Sequence, residues 1–187
     1  MPKIFYKITN KKERHNGYQY QTGLNKLNGK FDNNKKHSCV AGGLYFTDAK
    51  NIMSYLDYGI NLREVYLPND KGFKCVKDPD DDDDGDKWRA NMIILGKKYD
   101  LAHVKTIKML VKNGASLKKH IDNLMEWATE NKKKDLVIYL IKKMISNPKI
   151  LNNWFADESI IGQIRKLDRT QTKKIKKIAA KIIKKYN

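Results

Sequence analysis

His37-Ser-Cys-Val-Ala-Gly-Gly-Leu-Tyr-Phe-Thr-Asp48, continued by Ala49-Lys-Asn-Ile-Met-Ser-Tyr-Leu-Asp-Tyr-Gly59, is the stretch around which the rest of the chain is organised. Gly42 and Gly43 free the backbone for a turn, and Leu44 to Thr47 is a short run of aromatic and β-branched residues that favours a strand. Asp48 is placed to cap a helix, along which Ile52, Tyr55 and Leu56 recur at helical spacing until Gly59 stops it. The stretch therefore predicts a strand, a tight helix and a return strand. The glycine pair lets main chain come close either to a ligand or to the helix's own sheet. Gly43, Tyr45 and Tyr55 are the candidate pocket residues on the first alternative.

Outward from this unit, Ile4 to Ile8 reads as a first strand, Tyr18 to Leu24 as a second, and Leu27 to Lys36 as a loop rich in Asn, Gly and Asp. Ile60 to Leu67 and Phe73 to Lys77 read as strands ended by proline-containing turns, and Trp88 to Leu95 as an amphipathic strand. Five or six strands and one helix predict a small mixed α+β domain over residues 1–100. Asp80, Asp82, Asp84 and Gly85 reproduce the opening of a calcium-binding loop, yet the position that needs a bidentate Glu is Asn91 and the usual apolar position is Lys87. A solvated hairpin tip is expected there, with neither metal nor cofactor.

The formal net charge is +18, with 34 Lys, 5 Arg and 17 Asn. Residues 1–100 carry 18 basic and 14 acidic side chains, residues 101–187 carry 21 and 7, so the second half holds most of the excess. Such a field attracts polyanions through phosphate neutralisation, but lysine lacks the planar fork that reads a base edge, so any nucleic-acid contact is expected to ignore sequence. The Lys and Asn abundance also matches AT-rich coding. With no run of 18 apolar residues and no signal-peptide core, the expectation is a soluble, unexported protein. Cys39 and Cys75 have no metal-ligand spacing and read as buried thiols of a reducing compartment.

From residue 101 the periodicity becomes helical. Thr106, Ile107, Leu110 and Val111 are matched thirty residues later by Leu136, Val137, Leu140 and Ile141, with the short helix Leu124-Met-Glu-Trp-Ala-Thr-Glu-Asn131 between them. Met125-Glu-Trp-Ala-Thr-Glu-Asn131 followed by Asp135-Leu-Val-Ile-Tyr-Leu-Ile141 resembles the core of ankyrin repeats, and Asn113-Gly-Ala-Ser116 resembles their closing turn. Together with Phe5-Tyr-Lys-Ile-Thr-Asn10, the Gly-Gly-Leu-Tyr-Phe-Thr47 stretch and Lys87-Trp-Arg-Ala90, the order resembles the ankyrin-repeat proteins of mimivirus-type giant viruses over residues 4 to about 143. The resemblance implies a viral interaction protein of the host cytoplasm or viral factory, or of the virion, with a viral or host protein as partner and no membrane. Lys132-Lys133 departs from the repeat's Gly-His, which predicts that the tight turn is lost.

Asp157 to Leu167 and Asp168 to Tyr186 read as two closing helices, the last with Ile175, Ile178, Ala179 and Ile182 on one face. Lys173, Lys174, Lys176, Lys177, Lys181, Lys184 and Lys185 surround that face and are the candidate nucleic-acid contacts. The expected organisation is thus 1–100 α+β and 101–187 degenerate ankyrin-like helices, acting without catalysis. Protein binding is expected first and sequence-independent DNA or RNA binding second. A remoter alternative comes from Gly43-Leu-Tyr-Phe46 and Ser54-Tyr55, which are similar to an element of ADP-ribosyltransferase domains of the poly(ADP-ribose) polymerase type. There Tyr45 or Tyr55 would stack on nicotinamide. The family's His-Gly is interrupted here as His15-Asn-Gly17, and Glu64 is a poor counterpart of its catalytic glutamate.

Overall fold

Every residue of β1 (Phe5–Thr9) is buried, which is possible for a strand carrying Lys7 and Thr9 only if it is covered on both faces and flanked on both edges. The computed structural model describes residues 4–34, 36–79 and 86–145, and it places β1 in the interior of a seven-stranded sheet. β2 (Arg14–His15) and β3 (Tyr18–Gln19) form a separate hairpin. Then come β4 (Gly23–Lys26), β5 (Leu44–Thr47), a 3-10 helix (Ile52–Tyr58), β6 (Asn61–Tyr66), β7 (Cys75–Lys77), β8 (Lys87–Ala90) and β9 (Met92–Asp100). The sheet order is β4-β9-β6-β1-β5-β8-β7, antiparallel throughout. Three helices follow, α1 (Val104–Lys112), α2 (Leu117–Glu130) and α3 (Lys134–Ile145). The expected α+β class holds.

The two neighbours of β1 hold it very differently. β6 pairs with it at five positions, from Phe5↔Val65 to Thr9↔Asn61, whereas β5 pairs only at Tyr6↔Thr47. That single pair is a seam between two half-sheets, β4-β9-β6-β1 and β5-β8-β7. Asn91 alone separates β8 from β9, which have three strands between them in the order, so the sheet must curl until its halves meet at that residue. The strand expected from Trp88 to Leu95 is accordingly two strands turning a corner. Asn91 holds the corner, its Nδ2 donating to the Gly72 carbonyl at 2.8 Å and its Oδ1 accepting from the Lys74 N–H at 2.7 Å. The strand expected from Tyr18 to Leu24 is also two. Asn25 draws the chain into a turn by accepting from the Gln21 N–H at 3.0 Å and donating to its carbonyl at 2.7 Å, so β3 and β4 enter different sheets.

Phe5, Leu44, Phe46, Val65, Ala90, Ile93 and Leu95 fill one core with Tyr20. Phe5 meets Phe46 and Trp88 edge to face, at 5.1 and 5.2 Å between ring centres. The tight helix after Thr47 is present as a 3-10 helix that buries Ile52, Met53 and Leu56 and kinks at Tyr55. Asp48, expected to cap the helix, instead closes the turn that leads into it, its carbonyl accepting from the Ile52 N–H at 3.1 Å and its carboxylate from the Asn51 N–H at 3.2 Å, while the residue at the helix N-terminus is Asn51, which makes no side-chain cap. Gly59 ends it at φ +148, where an added Cβ would lie 2.3 Å from the Thr9 carbonyl oxygen. No other residue lets β6 return so close beside β1.

The change from strand to helix falls between Asp100 and Val104. The chain divides into two compact units, residues 1–120 and 121–187, so α1 groups with the sheet. Asn113, just past α1, donates from Nδ2 to the Tyr6 hydroxyl at 2.8 Å and ties that helix to β1. The helix expected over 124–131 is longer, beginning at Leu117. The tight turn expected to be lost at Lys132-Lys133 is made after all. Lys132 takes the left-handed conformation at φ +56 and the Lys133 N–H reaches the Ala128 carbonyl at 2.7 Å, the hydrogen bond of a helix-ending turn that usually employs glycine. The aspartate run at 80–85 and everything from residue 146 on, including both closing helices, lie outside the described residues; β7 and β8, which flank the aspartates, pair as a hairpin as expected.

Candidate functional site

At the seam where β1 and β5 part lies a cavity of about 930 Å³. Tyr6, Lys7 and Ile8 of β1 line one side, Gly43 and all of β5 the other, and His15, Tyr18, Tyr20, Tyr55 and Tyr58 complete it. Gly43, Tyr45 and Tyr55, the three pocket candidates, all belong to this lining.

The wall beside Gly43 is built on a buried ion pair. Arg89 on β8 and Asp78 after β7 are both fully buried, with Nη1 to Oδ1 at 2.5 Å. Arg89 also donates to three carbonyls of the 32–37 loop: from Nε to Asp32 at 3.1 Å, from Nη1 to His37 at 3.1 Å, and from Nη2 to Asn34. The second Asp78 oxygen accepts from the Ser38 hydroxyl at 2.8 Å and from the Cys39 N–H at 3.2 Å. An otherwise unstructured loop is thereby fastened to the sheet by charge-assisted bonds. The Arg89 side chain passes so close to Gly43 that a Cβ there would come within 2.8 Å of the arginine Cβ. The structural use foreseen for the glycine pair is packing of the helix on its sheet; Gly43 instead makes room for the Arg89 side chain of the neighbouring strand β8. Tyr45 is part of the same fastening, donating to the Val40 carbonyl at 2.7 Å and accepting from Arg89 at 3.3 Å.

Across the seam, Lys7 is only 8% exposed. Its ammonium donates to the Tyr45 carbonyl at 2.8 Å and lies over the Tyr20 ring, 4.7 Å from its centre. No carboxylate forms an ion pair with it among the described residues, and burial pushes its pKa down to about 8. His15, with Nε2 3.0 Å from the Tyr58 carbonyl oxygen, is lowered by burial and by the Lys7 charge. Burial raises Tyr20 and Tyr45 above the ordinary phenol range.

Lys7, Tyr20, Arg89 and Asp78 were not among the candidate site residues, Lys7 and Arg89 entering only as parts of the motifs that carry the family resemblance. The only signal was a lone lysine in an apolar strand and a lone arginine between Trp88 and Ala90. Glu64, the weak glutamate candidate, is not in the lining; it accepts from the hydroxyls of Tyr66 and Tyr99 at 2.8 and 2.6 Å. Cys39, expected buried, is exposed with the Lys87 ammonium 3.2 Å from its sulfur, while burial pushes the Cys75 thiol up to about 11. The seven C-terminal lysines, from Lys173 to Lys185, lie outside the described residues. Among the described residues, no group of acidic, His and Cys side chains is arranged to hold a metal, and no helix is long and apolar enough to cross a membrane.

No protein-family model matches the chain, and no solved structure matches it. Several proteins of Acanthamoeba polyphaga mimivirus do. One, provisionally named an ankyrin repeat protein, is 47% identical over 129 residues, which is 68% of this chain and 61% of the relative. A second with that name is 42% identical over 134 residues, 67% of this chain and 43% of the relative, so the chain spans only part of both. A third, named only as an uncharacterized protein, is 43% identical over 130 residues, 69% of this chain and 91% of the relative. With that extent of shared sequence, the chain belongs to the family of mimivirus proteins that includes these ankyrin-named members.

Proposed function

We propose that the chain is a non-enzymatic protein-interaction module, an α+β domain followed by a degenerate ankyrin-like helical segment, working in the host cytoplasm or viral factory. The observation that carries this reading is the thirty-residue register of α1 and α3. Thr106, Ile107 and Leu110 are buried in the first, and their counterparts Leu136, Val137 and Leu140 in the second. Three of the four register pairs are buried alike, as two copies of one repeat unit would be, while Val111 and Ile141 differ; helical repeats present surfaces rather than reaction centres. Relatives named for ankyrin repeats support it.

The net charge of +18 favours sequence-independent polyanion binding as the second reading. Affinity capture of tagged full-length protein from infected cells separates the two. The first reading expects a defined protein partner that stays bound after nuclease treatment and at raised salt. Loss of every partner on nuclease treatment, with generic duplex DNA bound near physiological salt, would replace it with the second.

A further inference from the structure

The cavity at the seam holds a buried cation, Lys7, that has no carboxylate counter-ion among the described residues. Taking an ammonium out of water is costly unless it is paired, and Lys7 has one carbonyl and one tyrosine face where a buried charge ordinarily has a carboxylate. Arg14 and Lys87 line the same cavity, with His15 held neutral beside them, and no Asp or Glu does among the described residues. Of these, Lys87 is shared with Asp78 at 3.5 Å. The field inside is therefore positive, and what it lacks is an anion. Among aliphatic and small residues, the wall also carries Tyr18, Tyr20, Tyr45 and Tyr58, whose rings are of the kind that stack on a planar ring. The volume of about 930 Å³ is at the upper end of small-molecule sites. We propose that this cavity binds a phosphorylated ligand bearing a flat ring, of the nucleotide class, with the Lys7 ammonium as the counter-ion of its phosphate. The strand that carries Lys7 is central and fully paired on its β6 side, so the charge is held in place before the ligand arrives. This goes beyond the partner-binding reading, because the cavity is made entirely by the sheet unit.

The test is calorimetric titration of the full chain with adenosine monophosphate, adenosine and inorganic phosphate. The nucleotide should bind saturably, one per chain, and the two fragments about tenfold or more weaker. Lys7→Met should weaken the nucleotide by about tenfold or more while melting at or above the temperature of the unaltered chain, since it removes an unpaired buried charge at nearly constant volume. No nucleotide binding at millimolar concentration, adenosine binding as well as the nucleotide, or an unchanged affinity in Lys7→Met would each overturn the proposal.

Should Lys7→Met fail to fold, pH supplies the same answer on a Cys39→Ser chain. The titratable and charged groups around Lys7 are Tyr18, Tyr20 and His15 of the hairpin segment, Tyr45 on β5, Tyr55 and Tyr58 of the 3-10 helix, Arg63 opposite it on β6, and Arg14 and Lys87 in the lining. Burial keeps Tyr18, Tyr20 and Tyr45 protonated and His15 neutral through this range. Nucleotide affinity should hold up to about pH 8 and then fall as Lys7 loses its proton, by up to about tenfold per pH unit. A flat profile through pH 9.5 would refute the assignment. Partner capture that persists when nucleotide binding is lost would separate this site from the interaction reading.

Discussion

Arg89 and Asp78 show how much of this architecture rests on two side chains. Both are fully buried, and between them they secure the 32–39 loop through its carbonyls, a hydroxyl and a backbone N–H. Removing one member strands the other charge and several polar partners, which ordinarily costs about 3–5 kcal/mol. Asp78→Ala is therefore expected to lower the urea midpoint sharply, whereas Asp70→Ala, on an exposed turn, should move it little. Equal effects of the two substitutions would show that the buried pair contributes no more than a surface carboxylate. Cys39 depends on the same anchor. Its backbone sits at φ +55, a conformation costly for a non-glycine residue, and the Asp78 carboxylate accepts its N–H.

At the scale of elements, α1 and α3 make the same sequence pattern mean two different things. Register pairs Val111 with Ile141, yet Val111 is 39% exposed and Ile141 is buried. Ile141→Ala should cost about 2–5 kcal/mol and Val111→Ala well under 1 kcal/mol, by urea denaturation followed by helical circular dichroism. Near-equal losses would mean that the position is covered alike in both copies. The strands carry a comparable lesson. Leu44 to Thr47 and Asn61 to Tyr66 were legible because their apolar runs are bounded by glycine, proline and aspartate. The break at Asn91 was not, since a polar residue inside an alternating run looks like an outward-facing position. What makes it a corner is its pairing with Gly72 and Lys74, twenty residues away or less in sequence but on a different element.

For the whole molecule, the half-buried His15 and the buried His120 set the expected response to acid. Burial lowers the pKa of both His15 and His120 in the folded chain. As pH falls below the ordinary histidine range, near 6.5, the unfolded chain takes up protons that the folded chain resists. The stability contributed by keeping them neutral is present above that range and is lost as pH drops through the depressed folded values. Thermal melts should be flat between about pH 7 and 8 in this respect and fall below about pH 6.5, with His120→Gln flattening part of the decline. A melting temperature that rises on acidification from pH 7 to 5.5 would contradict the lowered pKa of these two rings in the folded chain.

By itself the sequence determined the class, the glycine-pair bend at Gly42-Gly43, a tight helix after Thr47, its end at Gly59 and the thirty-residue register of the helices, because each depends on neighbours within a few turns or residues along the chain. Its resemblance to mimivirus ankyrin-named proteins was equally a matter of local motifs, and the relatives support it. Only the tertiary structure decided that Gly43 makes room for Arg89, that the half-sheets pair through a single pair of residues, and that Lys7 is enclosed with no carboxylate beside it among the described residues. Those facts depend on which strand lies beside which. A lysine in an apolar strand becomes a buried cation only when Tyr20 and the Tyr45 carbonyl, from two other parts of the chain, close over it.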